Sequence, residues 1–191
     1  MKLGIFSGTF DPVHEGHIWL ARESLKRFDL AKVIFLPEPI PRRKLPEASY
    51  ANRKKMLEIA ISGTTGLDVR NIEDESHSVK GTLKFIEQQY DGIDKVKIIM
   101  GADVFEYIDS WKNLDYLARE ADFVVYLRHE DDGELAVEQA NKLRLNIEMI
   151  SSQYSQVSSS KIREALHSGE QPSGLEPKVL KYILENHLYE K

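Results

Sequence analysis

An α/β fold with a doubly wound, mostly parallel sheet is what this sequence predicts, on three observations. Short runs rich in β-branched and aromatic residues alternate along the chain with patterns of helical period. The first such run passes into its helix through a tight turn of small residues, Ser7-Gly8-Thr9. The composition, 41% hydrophobic and 30% charged over 191 residues with a net charge of −5, suits a globular core that needs no covalent staples.

The elements follow in order. Leu3 to Phe6 is apolar and short enough for a buried strand, and Ile18, Leu20, Ala21 and Leu25 carry the helix after it. Lys32 to Leu36 is a second strand, ended by Pro37, so the chain opens as strand, helix, strand. The four prolines between Pro37 and Pro46 then force a loop. It leaves the carboxyl end of the second strand carrying Arg42, Arg43 and Lys44, either as solvated surface or as a lid that lays a cation on a phosphate. Ser49 caps a helix whose apolar positions, Met56 to Ile61, stop at Gly63, and Leu67 to Arg70 reads as a weaker third strand. The acidic run Glu73-Asp74-Glu75 reads as solvated surface. Beyond it come a helix from about Val79 to Tyr90, a strand from Lys95 to Met100 and a short helix over Val104 to Ile108. A strand from Ala121 to Leu127, a helix from Glu134 to Leu143 and a short strand from Ile147 to Ile150 complete the alternation. A helix opening near Ser158 and an amphipathic one from Pro177 to His187 close the chain. The expectation is one domain over 1–191, with a helical C-terminal part from about 158 to 191.

Composition also excludes classes of function. Without cysteine there is no disulfide framework, thiolate metal site or cysteine nucleophile, and an intracellular, cytoplasmic location is expected. The sequence shows neither a secretory leader pattern nor an apolar run long enough to span a bilayer, and its acidic balance weighs against general nucleic-acid binding. No nucleic-acid or membrane partner is expected, and the oligomeric state, including a homo-oligomer, is left open.

Two stretches carry chemistry. In the first, Gly8, Thr9 and Phe10 sit where a strand feeds a helix, a place where backbone N–H groups and the positive end of the helix dipole favour an anion. His14 and His17, three apart, share one helical face and can converge on one phosphoryl group, with Gly16 between them leaving room for it. His-Glu-Gly-His is one residue too short for the zinc-protease pattern, and Lys80-Gly81-Thr82 lacks the upstream glycine of a phosphate loop. No direct metal ligands are expected. The second stretch, Val157 to Arg163, offers Ser158, Ser159 and Ser160 at a helix start with Arg163 one turn inside. Capping needs only one serine, so spare hydroxyls, free N–H groups and a guanidinium remain for a second anion. Between them, Gly101 and Asp103 follow a strand, where Asp103 can take ribose hydroxyls or cap a helix. Trp111 can stack on a flat heterocycle or fill a core.

Gly8 to His17, reading Gly-Thr-Phe-Asp-Pro-Val-His-Glu-Gly-His, resembles the nucleotidyltransferase superfamily, and Val157 to Arg163 resembles its second signature, Ile-Ser-Ser-Thr-x-x-Arg. Two phosphate motifs in the right order are more specific than either alone. Gly101-Ala102-Asp103-Val104, Glu106-Tyr107, Trp111-Lys112 and the tail from Glu176 to Tyr189 are similar to adenylyltransferases of pyridine mononucleotides, especially the bacterial nicotinate enzymes, so the resemblance spans the chain. It implies a Rossmann-like fold and transfer of AMP from ATP, with Mg²⁺, to nicotinate mononucleotide, giving deamido-NAD and diphosphate. Nicotinamide mononucleotide is the alternative acceptor and phosphopantetheine a more distant one. By the same resemblance, His14, His17 and the backbone of Thr9 and Phe10 hold the reacting phosphates, while Ser159, Ser160 and Arg163 hold the β and γ phosphates. Asp103 takes the adenosine ribose and Trp111 stacks on the pyridine. Two departures bear on the acceptor, for which Arg43, Lys44 and Ser78 are the candidate contacts. His77-Ser78-Val79 stands where those enzymes show Ser-Tyr-Thr, and Arg43 replaces a histidine.

Overall fold

The computed structural model describes residues 1–191 except 42–44, 72–78, 130, 152 and 191. Its centre is a six-stranded sheet of β1 (Leu3–Gly8), β2 (Lys32–Pro37), β3 (Leu67–Val69), β4 (Val96–Gly101), β5 (Ala121–Leu127) and β6 (Ile147–Ser151). The order is β3-β2-β1-β4-β5-β6 and every pairing is parallel, so the sheet is wholly rather than mostly parallel. Strand order reverses between β1 and β4, and in such sheets the crevice outside the carboxyl ends at that switch point is where ligands bind.

Eight helices connect and cover the described strands: α1 (Glu15–Arg27), α2 (Tyr50–Ile61), α3 (Val79–Gln89), α4 (Ala102–Phe105), α5 (Leu114–Glu120), α6 (Asp132–Leu143), α7 (Ser159–His167) and α8 (Pro177–Glu185). Alternation along β1 sends Leu3 and Ile5 to one face and Phe6 to the other, so the core has two halves. One joins Phe6, Phe35, Val124 and Tyr126 to α1, α2, α7 and α8; the other joins Ile5, Ile98 and Phe123 to α3, α5 and α6. Among the described residues no helix is long and apolar enough to cross a membrane.

Local chemistry explains the boundaries. The Ser49 side chain accepts from the N–H of Asn52 as the cap of α2, and Glu176 caps α8 with Pro177 at its first turn. Three expectations change. The short helix after β4 spans Ala102–Phe105 with Gly101 as its N-cap, which puts Asp103 inside the first turn rather than at the cap; a 3₁₀ turn, Ile108–Ser110, follows. Helix α5 went unpredicted because seven residues give the helical period too little length to register. Strand β1 runs on to Gly8, since Ser7 and Gly8 still pair with Leu36 and Pro37.

Candidate active site

The turn between β1 and α1 is built on an aromatic wedge. Phe10 takes a left-handed backbone, φ 51°, and its buried ring packs against Phe6, Phe35 and His17 at centroid distances of 5.4, 5.6 and 5.1 Å. A Cβ on Gly8 would sit 3.1 Å from that ring, so the glycine makes room for Phe10 itself. Arg53, fully buried on α2, braces the turn from below by donating to the carbonyls of Thr9 (2.6 Å), Glu38 (2.8 Å), Ala48 (3.2 Å) and Pro39 (3.3 Å).

His14 is the N-cap of α1, and its backbone N–H donates to Nδ1 of His17 at 3.2 Å. A neutral His17 therefore carries its proton on Nε2. The two rings stack at 3.7 Å and 28°. His14 is 4% exposed, and among the described residues neither of its ring nitrogens has a hydrogen-bond partner. Burial, and next the positive charge of Arg128, push its pKa from 6.5 down to about 3, so the ring is neutral at pH 7. A Cβ on Gly16 would lie 3.1 Å from His14 Nδ1 and 3.4 Å from the Tyr154 Cβ, so the missing side chain makes room for the imidazole.

Arg128, just beyond the carboxyl end of β5, escaped the sequence reading. Asp132 accepts the N–H groups of Arg128 and His129 at 2.7 and 2.9 Å, which fixes the turn, and the Arg128 guanidinium lies 5.9 Å from the Tyr126 ring. Its Nε and the Tyr126 hydroxyl are also buried without a partner among the described residues. Buried polar atoms without a partner call for an explanation, which makes this corner a candidate ligand site. The available signal was positional, a cation straight after a predicted parallel strand.

The second stretch docks directly on the first. Ser158 caps α7 by accepting from the Lys161 N–H, Ser159 Oγ donates to the Pro12 carbonyl at 2.9 Å, and Arg163 Nη1 donates to the Asp11 carbonyl at 2.7 Å. The start of α7 thus lies against the residues that lead into α1. The spare donors are fewer than expected, because the Ser159 hydroxyl is committed to Pro12 and Arg163 Nε to Glu47 at 2.6 Å. Ser160 remains exposed at the helix start.

Gly101 ends β4, the neighbour of β1, and a Cβ on it would run into the exposed Asp103 carboxylate. Trp111 is half-buried in the other core half, so its ring is a packing element at that rim. Arg42, Arg43, Lys44, His77, Ser78 and the acidic run at 73–75 lie outside the described residues. Asp11 and Arg53 were also missed. Asp11 belonged to the quoted motif with no role attached, and Arg53 shares the buried helical spacing of Met56 and Leu57.

The parallel sheet with its crevice at the β1/β4 switch point is that of a nucleotidyltransferase, and a family model described as Cytidylyltransferase-like matches residues 5–165. The chain belongs more narrowly to the nicotinate-nucleotide adenylyltransferase family. It is 35% identical over 194 residues to the protein named "Probable nicotinate-nucleotide adenylyltransferase" in Solibacter usitatus, covering 99% of this chain and all of that one. A Bacillus licheniformis protein of the same name is 32% identical, with 99% and 98% covered. Among solved structures, the Plasmodium falciparum nicotinic acid mononucleotide adenylyltransferase complexed with NaAD shares the fold at a TM-score of 0.78 and 19% identity, over 98% of this chain and 97% of that one.

Proposed function

We propose that this chain transfers AMP from ATP to nicotinate mononucleotide, releasing diphosphate and deamido-NAD. The observation that carries the reading is the docking of the α7 start onto residues 11 and 12, beside a buried His14 whose ring nitrogens have no partner. In the reaction, an oxygen of the mononucleotide phosphate bonds to the α-phosphorus of ATP while the bond from that phosphorus to the bridging oxygen breaks. The attacking monoester has its second pKa near ~6 and is ionised at neutral pH, so no general base is needed. Catalysis is positioning and charge neutralisation along the line of displacement.

In this reading His14, His17 and Arg128 donate to the phosphoryl group in transfer, and Arg163, Ser160 and the N–H groups opening α7 hold the departing diphosphate. Asp103 takes the adenosine ribose, and the half-buried Trp111 offers an edge for the pyridine. The donors here are imidazoles and a guanidinium, a set suited to phosphate oxygens, so Mg²⁺ enters with the triphosphate and supplies charge neutralisation there. The whole of 1–191 acts as one domain, in the cytoplasm, with ATP and a pyridine mononucleotide as its partners.

The test is diphosphate release from ATP with nicotinate mononucleotide, nicotinamide mononucleotide or phosphopantetheine as acceptor. The nicotinate compound is expected to give the highest kcat/KM, and His17→Ala to lower kcat with it by on the order of 10²–10³. Preference for another acceptor refutes the substrate, and an undiminished His17→Ala refutes the role of the histidine.

A further inference from the structure

A chain of side chains that runs through Arg163 joins four separate parts of the molecule. Asp11, 4% exposed, takes three hydrogen bonds on its carboxylate: from the Glu47 N–H (2.7 Å), the Ala48 N–H (3.1 Å) and the hydroxyl of Tyr189 (2.7 Å). The Glu47 carboxylate in turn accepts from Arg163 Nε at 2.6 Å and meets His167 Nε2 at 2.8 Å. Arg163 returns to Asp11 through the backbone carbonyl of that residue. The circuit closes on itself: tail, phosphate turn, the segment before α2, and α7.

Tyr189 reaches this circuit by a costly route. After α8 the chain reverses, with the Leu188 N–H bonded to the Ile183 carbonyl, and both His187 and Tyr189 take left-handed backbones at φ 51° and 62°. Non-glycine residues hold that conformation only where the surroundings impose it. The result is a tyrosine 6% exposed whose hydroxyl lies against a carboxylate, and burial together with the Asp11 charge raises the pKa of that hydroxyl, keeping it a donor.

We propose that Tyr189 is a positioning residue for adenylyl transfer: its hydrogen bond to Asp11 sets the turn that carries His14 and His17 against the helix that carries Arg163. The arrangement fits this role better than simple packing. An apolar tail would bury as much surface with no need of a hydroxyl, whereas the hydroxyl satisfies the one carboxylate that holds both the turn and the segment bearing Glu47. A turn displaced by a fraction of an ångström loses rate while still binding substrate, because in-line transfer is more sensitive to geometry than binding is. The proposal rests on the adenylyl-transfer reading, and its test separates the two.

Tyr189→Phe deletes only the hydroxyl. With ATP and nicotinate mononucleotide, kcat is expected to fall about tenfold and both KM values to stay within about twofold. The same substitution made in a His17→Ala background is expected to cost almost nothing further, since the group it aligns is gone. An undiminished kcat in Tyr189→Phe, a change confined to KM, or losses that multiply with His17→Ala would overturn the proposal. A wild-type protein that releases no diphosphate would instead overturn the adenylyl-transfer reading itself.

Discussion

His14 shows how much one side chain can reveal. A histidine pushed to a pKa of about 3 is one the fold keeps neutral at some expense in acid. The unfolded chain takes up this proton near 6.5, the native state only near 3, so between those values the unfolded state holds more protons and stability rises with pH. The contribution is complete above about pH 6.5 and is lost as pH falls, by at most about 1.4 kcal/mol per pH unit. His14→Asn keeps a good N-cap and removes the titration. In urea titrations between pH 6.5 and 4.5, its unfolding midpoint should fall less steeply than that of the wild type, and parallel slopes would show that His14 is not held neutral. A buried anion is what would repay this arrangement, which is why the orphaned nitrogens point to function.

At the scale of elements, the turn between β1 and α1 is braced from helix α2. Arg53 donates to four backbone carbonyls from three segments, the turn after β1, the exit from β2 and the start of α2. Arg53→Met keeps the aliphatic stem and removes every donor, so several buried carbonyls lose their partner together. The expected cost is roughly 3–5 kcal/mol in equilibrium unfolding, and a cost below about 1 kcal/mol would mean that water satisfies those carbonyls. Such a brace was hidden in the sequence because a lone arginine on a helix reads as solvated, although its spacing with Met56 and Leu57 put it on the buried face. The elements themselves were readable where period and length agreed: β2 and β5 matched within a residue or two, while α5 was too short to declare itself. Sequence shows that Gly8 and Gly16 lack a side chain, but only the packed structure shows that the rings of Phe10 and His14 lie against them.

For the whole molecule, the all-parallel sheet with its reversal between β1 and β4 makes one crevice out of distant segments, and a triphosphate bound there would touch several of them at once. At a hundred times its Kd, a non-hydrolysable ATP analogue should add about 2.7 kcal/mol to stability, or roughly 5–10 °C in Tm for a protein of this size. Arg128→Gln, at the same analogue concentration, is expected to show less than half that shift. An equal shift would remove Arg128 from the phosphate site. The two stretches that the structure packs together could be singled out beforehand because each is a compact run of residues. Arg128, Asp11 and Tyr189 were not, because what unites them is proximity in space across most of the chain.

The bond between Tyr189 and Asp11 spans 178 residues, and this has a bearing on how the protein is made. Translation delivers residue 11 long before residue 189, at some 5–20 residues per second, so a ribosome-bound intermediate can pair β1 with β2 yet lacks the last anchor of its phosphate turn. A product cut short between α8 and Tyr189 would keep the proposed phosphate donors and lack the bond that aligns them, so on this proposal it would transfer AMP more slowly than the full chain.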